Sequence, residues 1–261
     1  MSLTWTYGGT DLTTFGKILQ IDGWGDIPER RGSDQVIPFD DGEMHAGKYY
    51  DKRLLDFYMS LTTSSASDMD SKLDTLRQLI SLRTQQTLSV TREDGKVMTT
   101  QAIVNSRLQI NRITNTLLKY VIPFSLPTPY FRLSTAISDN TTTINTSPKA
   151  MTVTNPGTAI ERYATITLTG PLSNTVITNS TTGVSLTYTG TIAGGEVVVI
   201  STSSLREKTA VKDGVTNVIG NVTHNGAAAF MVINPGSNTL SITDGTATTG
   251  TVKIAFNAPY F

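Results

Sequence analysis

At 261 residues the chain is longer than the roughly 150 residues that serve as a soft measure of one domain, so two compact units are expected, each able to bury its own core. Charged residues make up 16% against about 25% in an average globular protein, while Gly, Thr, Ser and Asn are plentiful, which favours strands and turns over long solvated helices. The 21 Lys+Arg cancel the 21 Asp+Glu, excluding a summed positive field for gripping nucleic acid or anionic lipid, and the lack of Cys excludes disulfides, thiolate metal sites and cysteine nucleophiles.

The first ten residues, Met1 to Thr10, have no basic stretch followed by an apolar run, and no stretch of about 18 consecutive apolar residues occurs anywhere. No membrane insertion is expected. Asn-x-Ser/Thr triplets such as Asn140-Thr141-Thr142 and Asn221-Val222-Thr223 read, without a secretory signal, as products of an Asn/Thr-rich composition.

Gly23-Trp24-Gly25-Asp26-Ile27-Pro28 starts like a dinucleotide fingerprint, but Pro28 takes the third glycine's place and no helical pattern follows, so it reads as a loop. No Gly-x-x-x-x-Gly-Lys-Ser/Thr stretch offers a phosphate cradle either. Asp26 with Glu29, and Asp40-Asp41 with Glu43, contain enough carboxylates for glycoside hydrolysis, yet both groups lie in Gly- and Pro-containing loops and read as solvated acids. His45 and His224 are the only histidines and fall in different halves, so neither a two-His metal site nor a serine triad can be built within one half; both read as surface or turn residues. No catalytic, metal-binding or cofactor-binding residue is assigned, no cofactor is expected, and the chain reads as a non-enzyme.

Leu55, Phe57, Met59 and Leu61 alternate as one face of a strand. A single helix follows: Ser67 can cap it, Asp68 and Asp70 suit the first turn, and Met69, Leu73, Leu76 and Ile80 recur along one stripe that should pack on a sheet. Asp68 and Lys72, and Asp74 and Arg77, are spaced to pair on its outer face. Leu88 to Arg92 and Val97 to Thr100 flank Glu93-Asp94-Gly95-Lys96, a hairpin turn with glycine at a position of positive φ. Leu118, Tyr120, Ile122, Phe124 and Leu126 alternate again, with Pro123 predicting an edge position or a bulge.

Residues 1–135 hold 15 of the 21 basic and 15 of the 21 acidic residues, leaving 6 and 6 for residues 136–261. At this drop lies Ile137 to Pro148, too poor in apolar residues to order itself by burial and read as a linker or as an exposed strand beside one. Beyond it the expected strands are Ala164 to Leu168, Thr175 to Thr178, Val184 to Tyr188, Val197 to Ile200, Val215 to Ile219, Ala229 to Ile233, Thr239 to Ile242 and Val252 to Phe256. Turn signals separate them, including two Asn-Pro-Gly triplets read as type II turns, at Asn155 and Asn234. That spacing suggests a β-sandwich or jelly roll. A sugar site in this half would use aromatic faces, but both Trp residues, Trp5 and Trp24, lie in the first half, and Phe230 and Phe256 fall at core spacing.

Taken in order, several phrases resemble the distal tail protein family of long-tailed bacteriophages, the siphophages. In the first half these are Arg30-Arg31-Gly32-Ser33, the loop reaching Gly47-Lys48-Tyr49-Tyr50-Asp51-Lys52-Arg53, the strand and single helix, the Arg92 to Lys96 hairpin, and the closing Phe124-Ser125-Leu126-Pro127-Thr128-Pro129-Tyr130-Phe131. In the second they are Asn155-Pro156-Gly157, Ile166-Thr167-Leu168-Thr169-Gly170, Asn234-Pro235-Gly236-Ser237-Asn238 and the final Tyr260-Phe261. Thr128 departs from the Asp that members often carry before the Pro-Tyr pair.

The resemblance implies a mainly β protein: an N-terminal β-sandwich-like domain with one α-helix at 1–135, a linker or edge segment at 136–150, and a galectin-like or jelly-roll β-sandwich at 151–261. It further implies a structural component of the virion tail tip, assembled in the host cytoplasm as a homo-hexamer ring that passes DNA only as cargo. Its expected partners are other copies of itself, the tail tube protein, and tail-tip, tail-associated or receptor-binding proteins of the baseplate, with a host surface glycan as a further candidate. The competing reading is a carbohydrate-binding adhesin domain pair on a virion or cell surface.

Overall fold

The computed structural model describes residues 3–32, 35–36, 43–44, 49–104, 106–202, 207–226, 229–246 and 249–261. The chain divides into two compact units, Met1–Ser134 with Phe261, and Thr135–Tyr260. Both are built almost wholly from antiparallel strands.

The first unit contains β1 (Thr4–Tyr7), β2 (Thr10–Asp11), a 3-10 turn (Leu12–Phe15), β3 (Lys17–Asp22), β4 (Arg30–Arg31), β5 (Gln35–Val36), β6 (Glu43–Met44), β7 (Tyr49–Tyr50) and β8 (Arg53–Thr62). Helix α1 (Ala66–Ile80) follows, then β9 (Gln86–Thr91), β10 (Val97–Val104), β11 (Gln109–Arg112), β12 (Leu117–Leu126) and β13 (Phe131–Leu133). The strand order is β2-β1-β9-β10-β12-β8-β3, with β11 also on β12 and β13 also on β10. β10 pairs with β9 through Val97–Ala102 and then with β12 at Ile103 and Val104, passing from one layer to the other. The layers meet through aromatic side chains. Trp5 of β1 lies 5.0 Å from Phe57 of β8, and Tyr7 lies 4.9 Å from Phe124 of β12, with rings tilted or edge to face.

The alternation read from the sequence places Leu55, Phe57, Met59 and Leu61 in the core opposite Phe124, Ile122, Tyr120 and Leu118. The helix buries Met69, Leu73 and Leu76, while Ile80 is half-buried. Its cap is Ser65 rather than Ser67: the Ser65 hydroxyl oxygen accepts the Asp68 N–H at 3.1 Å, so the helix begins one half-turn earlier than expected. Asp68–Lys72 and Asp74–Arg77 pair at 3.9 and 2.8 Å. The 93–96 hairpin forms as expected, with Gly95 at φ +79°.

Pro123 corrects an expectation. β12 is an inner strand, paired with β8 along its whole length. On its other side β11 pairs as far as Val121 and β10 begins at Phe124, so Pro123 sits between the two partners, where no ladder bond is needed from it.

The second unit contains β14 (Ile137–Thr143), β15 (Lys149–Asn155), β16 (Thr165–Thr169), β17 (Leu172–Ser173), β18 (Val176–Asn179), β19 (Val184–Tyr188), β20 (Thr191–Ile192) and β21 (Val197–Thr202). These are followed by β22 (Lys208–Lys212), β23 (Thr216–Asn217), a 3-10 turn (Ile219–Asn221), β24 (Val222–His224), β25 (Gly236–Thr243), β26 (Thr251–Phe256) and β27 (Pro259–Tyr260). A six-stranded sheet, β14-β26-β16-β21-β22-β23, accompanies a five-stranded sheet, β15-β25-β18-β19-β24, in a β-sandwich. Ile166, Leu168, Val198, Ile200, Val252 and Ile254 of one sheet, and Val153, Ile177, Leu186, Leu240 and Ile242 of the other, are fully buried.

The polar stretch around Asn140 is thus ordered as β14, an edge strand held by β26 with an irregularity between Ile137 and Asn140. Two expected strands are not strands. Val215 to Ile219 reduces to the two residues of β23 before a 3-10 turn. Ala229 to Ile233 is a buried loop, because its carbonyls are claimed by side chains. The Asn179 amide donates to Val232 O at 2.7 Å and the Asn155 amide to Ile233 O at 3.4 Å, while Ile233 and Glu161 exchange backbone bonds. The two Asn-Pro-Gly turns also differ. Gly236 has the expected positive φ of 85°, but Gly157 does not; it is needed because a Cβ there would lie 2.1 Å from Pro259 O.

Candidate functional site

The Gly23–Pro28 loop, which leads into the short pairs β4–β7 and β5–β6, is tied down by one side chain. Arg53 is 3% exposed and follows Leu55, Phe57 and Met59 on the inward face of β8. Its Nε donates to Gly23 O at 3.0 Å, and its Nη2 to the carbonyls of Gly23, Trp24 and Asp26 at 2.6, 2.5 and 3.1 Å. The guanidinium carbon lies 5.8 Å from the Trp24 ring and 6.0 Å from that of Phe131, while Trp24 meets Trp5 at 4.7 Å and Phe131 at 5.1 Å. Burial lowers the Arg53 pKa and Asp26 raises it in part. The sequence motif that began like a dinucleotide fingerprint is therefore a clamped structural loop.

Two depressions flank the edge strand β3. One, of about 840 Å³, is lined by Trp5, Ile18, Ile21, Trp24 and Leu61 with Lys17 and Lys72 at its polar margin. The other, of about 460 Å³, is lined by Leu19, Gln20, Tyr58, Ile110, Lys119 and Val121. Leu19, Leu54, Tyr58, Ile110 and Ile113 are between 36% and 56% exposed. A strand edge unpaired among the described residues, beside apolar hollows, is suited to receiving protein surface.

The residues weighed for catalysis stay apart. Asp26 and Glu29 are exposed on the clamped loop. His45, Asp40 and Asp41 lie outside the described residues, as does the Glu43 side chain. His224 is not a turn residue; it is half-buried in β24, with Nε2 2.7 Å from the Lys208 Nζ and its ring 5.2 Å from that of Phe230. A lysine ammonium can only donate, so His224 Nε2 is the acceptor in this contact. Among the described residues no group of three His, Cys, Asp or Glu is placed to hold a metal ion. No helix there is long and apolar enough to cross a membrane. In the second unit Tyr188, Phe230, Phe256 and Tyr260 are all buried.

These features define a β-rich protein whose prominent surfaces suit protein–protein contact. Residues 156–260 match the family described as the siphovirus-type tail component, C-terminal domain. The chain shares its fold with the crystallised Dit protein (gp 19.1) of phage SPP1, described as a paradigm of the hub adsorption apparatus in phages infecting Gram-positive hosts. That likeness has a TM-score of 0.70 and 14% identity, covering 98% of this chain and 99% of the other. A chain of the phage P2 baseplate, in its activated conformation with calcium, is matched with a TM-score of 0.43 at 9% identity over 98% of both chains. No curated protein matches by sequence. Residues 156–260 thus carry a siphovirus-type tail component domain, and the chain as a whole has the fold of the SPP1 Dit protein.

Proposed function

We propose that this chain is the hub of a phage tail tip. Copies join through residues 1–135 into a ring, a hexamer, that continues the tail tube and passes DNA as cargo, and residues 151–261 carry the adhesion or baseplate proteins. The observation that carries this reading is the domain match over 156–260 together with a hub-protein fold along the rest of the chain. The grooves beside β3 and the exposed apolar residues of the first unit support it, because heterologous contacts that close a ring need apolar surface. Equal numbers of acidic and basic residues in that half suit a conduit that must not hold its cargo. The competing adhesin reading calls for exposed aromatic faces, whereas Tyr188, Phe230, Phe256 and Tyr260 are in the core.

Electron microscopy and sizing of the purified full chain test the proposal: closed rings are expected. A chain that is monomeric at every accessible concentration, and that binds a glycan array, overturns the hub reading in favour of the adhesin.

A further inference from the structure

Asn225-Gly226 is the only Asn-Gly pair in the sequence. It follows β24, the edge strand of the five-stranded sheet, which pairs with β19 alone among the described residues. The Asn225 N–H extends that ladder, donating to Ser185 O at 3.2 Å. The side chain then clasps the start of β19 and the turn before it: Oδ1 accepts the Ser185 N–H at 2.7 Å, and Nδ2 donates to Gly183 O at 3.0 Å. Glycine is required next, because a Cβ on residue 226 would lie 2.5 Å from Ala229 O and 3.2 Å from Val184 Cγ1. Packing thus fixes both members of the pair.

The pair carries the parts of an intramolecular acyl transfer. The electrophile is Asn225 Cγ, whose oxygen is already held by a backbone N–H, the kind of donor that stabilises a developing oxyanion. The nucleophile is the Gly226 nitrogen, next along the chain and with no side chain to crowd it. Its N–H makes no hydrogen bond among the described residues. The buried asparagines differ at this point. Asn155 is followed by Pro156, which has no N–H. Ser180, after Asn179, donates its N–H to Thr239 O at 2.9 Å, and Thr239, after Asn238, donates its own to Thr181 Oγ1 at 3.1 Å. Asn225 is also exposed, so water reaches it.

We infer that Asn225 is a site of spontaneous deamidation in the folded protein, and that its conversion opens the clasp. The Gly226 nitrogen bonds to Asn225 Cγ and gives up its proton as the Cγ–Nδ2 bond breaks, releasing ammonia. Water then opens the cyclic imide at either carbonyl and leaves aspartate or isoaspartate. One water enters, one ammonia leaves, and no oxidant or cofactor is needed. In the aspartate an oxygen replaces Nδ2 and faces Gly183 O, acceptor against acceptor, where a donor stood at 3.0 Å. In the isoaspartate the backbone gains a methylene and the clasp is displaced. Either product frees the end of an edge strand that only β19 holds among the described residues, so the second unit records its own age. This is independent of the hub reading and applies to a single chain or a ring alike.

The test is peptide mapping by mass spectrometry of the full chain held at mildly alkaline pH, which favours loss of the Gly226 proton. Asn225 is expected to convert first, at a rate roughly tenfold or more above that of any other asparagine. A short peptide spanning residues 221–230 gives the rate without Ser185, and the folded chain is expected to convert at least as fast. Asn225→Asp, the product form, is expected to lower the unfolding transition of the second unit and to quicken hydrogen exchange at the Ser185 N–H. Mapping of the unaltered chain stands by itself if that variant does not fold. An Asn225 that outlasts other asparagines, a folded chain slower than the peptide, or a folded Asn225→Asp with an unchanged transition overturns the inference.

Discussion

The two units meet the same requirement, a closed β core, with different materials. The largest fully buried side chains, Trp5, Tyr7, Phe57, Phe124 and Phe131, all belong to the first unit, where a few rings bridge the layers edge to face. The second fills its core mostly with Val, Ile and Leu, its four buried aromatics apart, and fixes its loops with buried amides: Asn155, Asn179 and Asn238 are at most 1% exposed. Outside, the contrast continues. Eight large apolar side chains are exposed among the described residues of the first unit, against Ile160, Val199 and Val215 in the second. Charge density and apolar exposure are therefore high in the same half, as in a surface that both attracts and buries a partner. The second unit, with hydroxyl-rich strands and little charge, resembles a self-contained module.

If the units fold separately, core damage should stay where it is made. Phe57→Ala is expected to cost about 3–5 kcal/mol, and Ile242→Ala about 2–5 kcal/mol, each lowering one of two transitions in a calorimetric scan; a single transition shifted by both changes would merge the two units into one. Arg53→Met keeps the apolar stem but strips the donors from three loop carbonyls. The expected loss is about 1–3 kcal/mol in the first transition alone, with faster proteolysis near Trp24.

Asp244 gives the second unit its own acid sensitivity. Burial opposes its ionisation, but bonds from Thr246, the Ser173 N–H and the Thr175 hydroxyl outweigh it and hold its pKa below the usual aspartate value. A depressed folded-state pKa contributes stability above the unfolded value of about 3.9, and this is lost as pH falls through the folded one. Asp244→Asn should therefore lower the second transition by about 1 kcal/mol at pH 7, with the difference shrinking as pH falls below about 3.9 and through the depressed folded-state pKa. A difference that persists undiminished at low pH would assign the effect to shape rather than charge. The smallest change is expected from Arg112→Ala, which removes the exposed 3.2 Å pair with Asp70: within about 0.5 kcal/mol of the unaltered chain by denaturant midpoint.

Where burial sets one face of an element, the sequence was readable. Alternation identified β8 and β12, and the helical stripe identified Met69, Leu73 and Leu76, because each repeats the period of its backbone. Trp5 and Tyr7 carried the same signal for β1, in a run too short to be singled out. Elements were misread where side chains competed with the backbone. Ala229 to Ile233 is apolar enough for a strand, yet its carbonyls are bound by amides distant in sequence. β14 has the composition of a linker because its order comes from β26. The candidate surface was the least legible part, since the hollows beside β3 exist only across strands, from residues such as Trp5, Ile18, Trp24 and Leu61 that lie far apart in sequence. Arg53, the clamp of the first unit, was visible only as part of a family phrase; its signal was a charge in register with Leu55 and Phe57.

The pairing of β14 with β26 also sets an order of events during synthesis. Thr143 must wait for Thr251, roughly a hundred residues later, and at about 5–20 residues per second translation takes on the order of 5–20 seconds to cover that distance. Throughout that interval β14 is a strand without a ladder on the nascent chain, the condition in which apolar segments recruit neighbours on the same polysome. Ile137-Ser138-Asp139-Asn140-Thr141-Thr142-Thr143 has a single apolar residue and an irregularity after it, so it offers such neighbours little to zip onto. The polarity that disguises this strand in the sequence also keeps it soluble until its partner emerges from the ribosome.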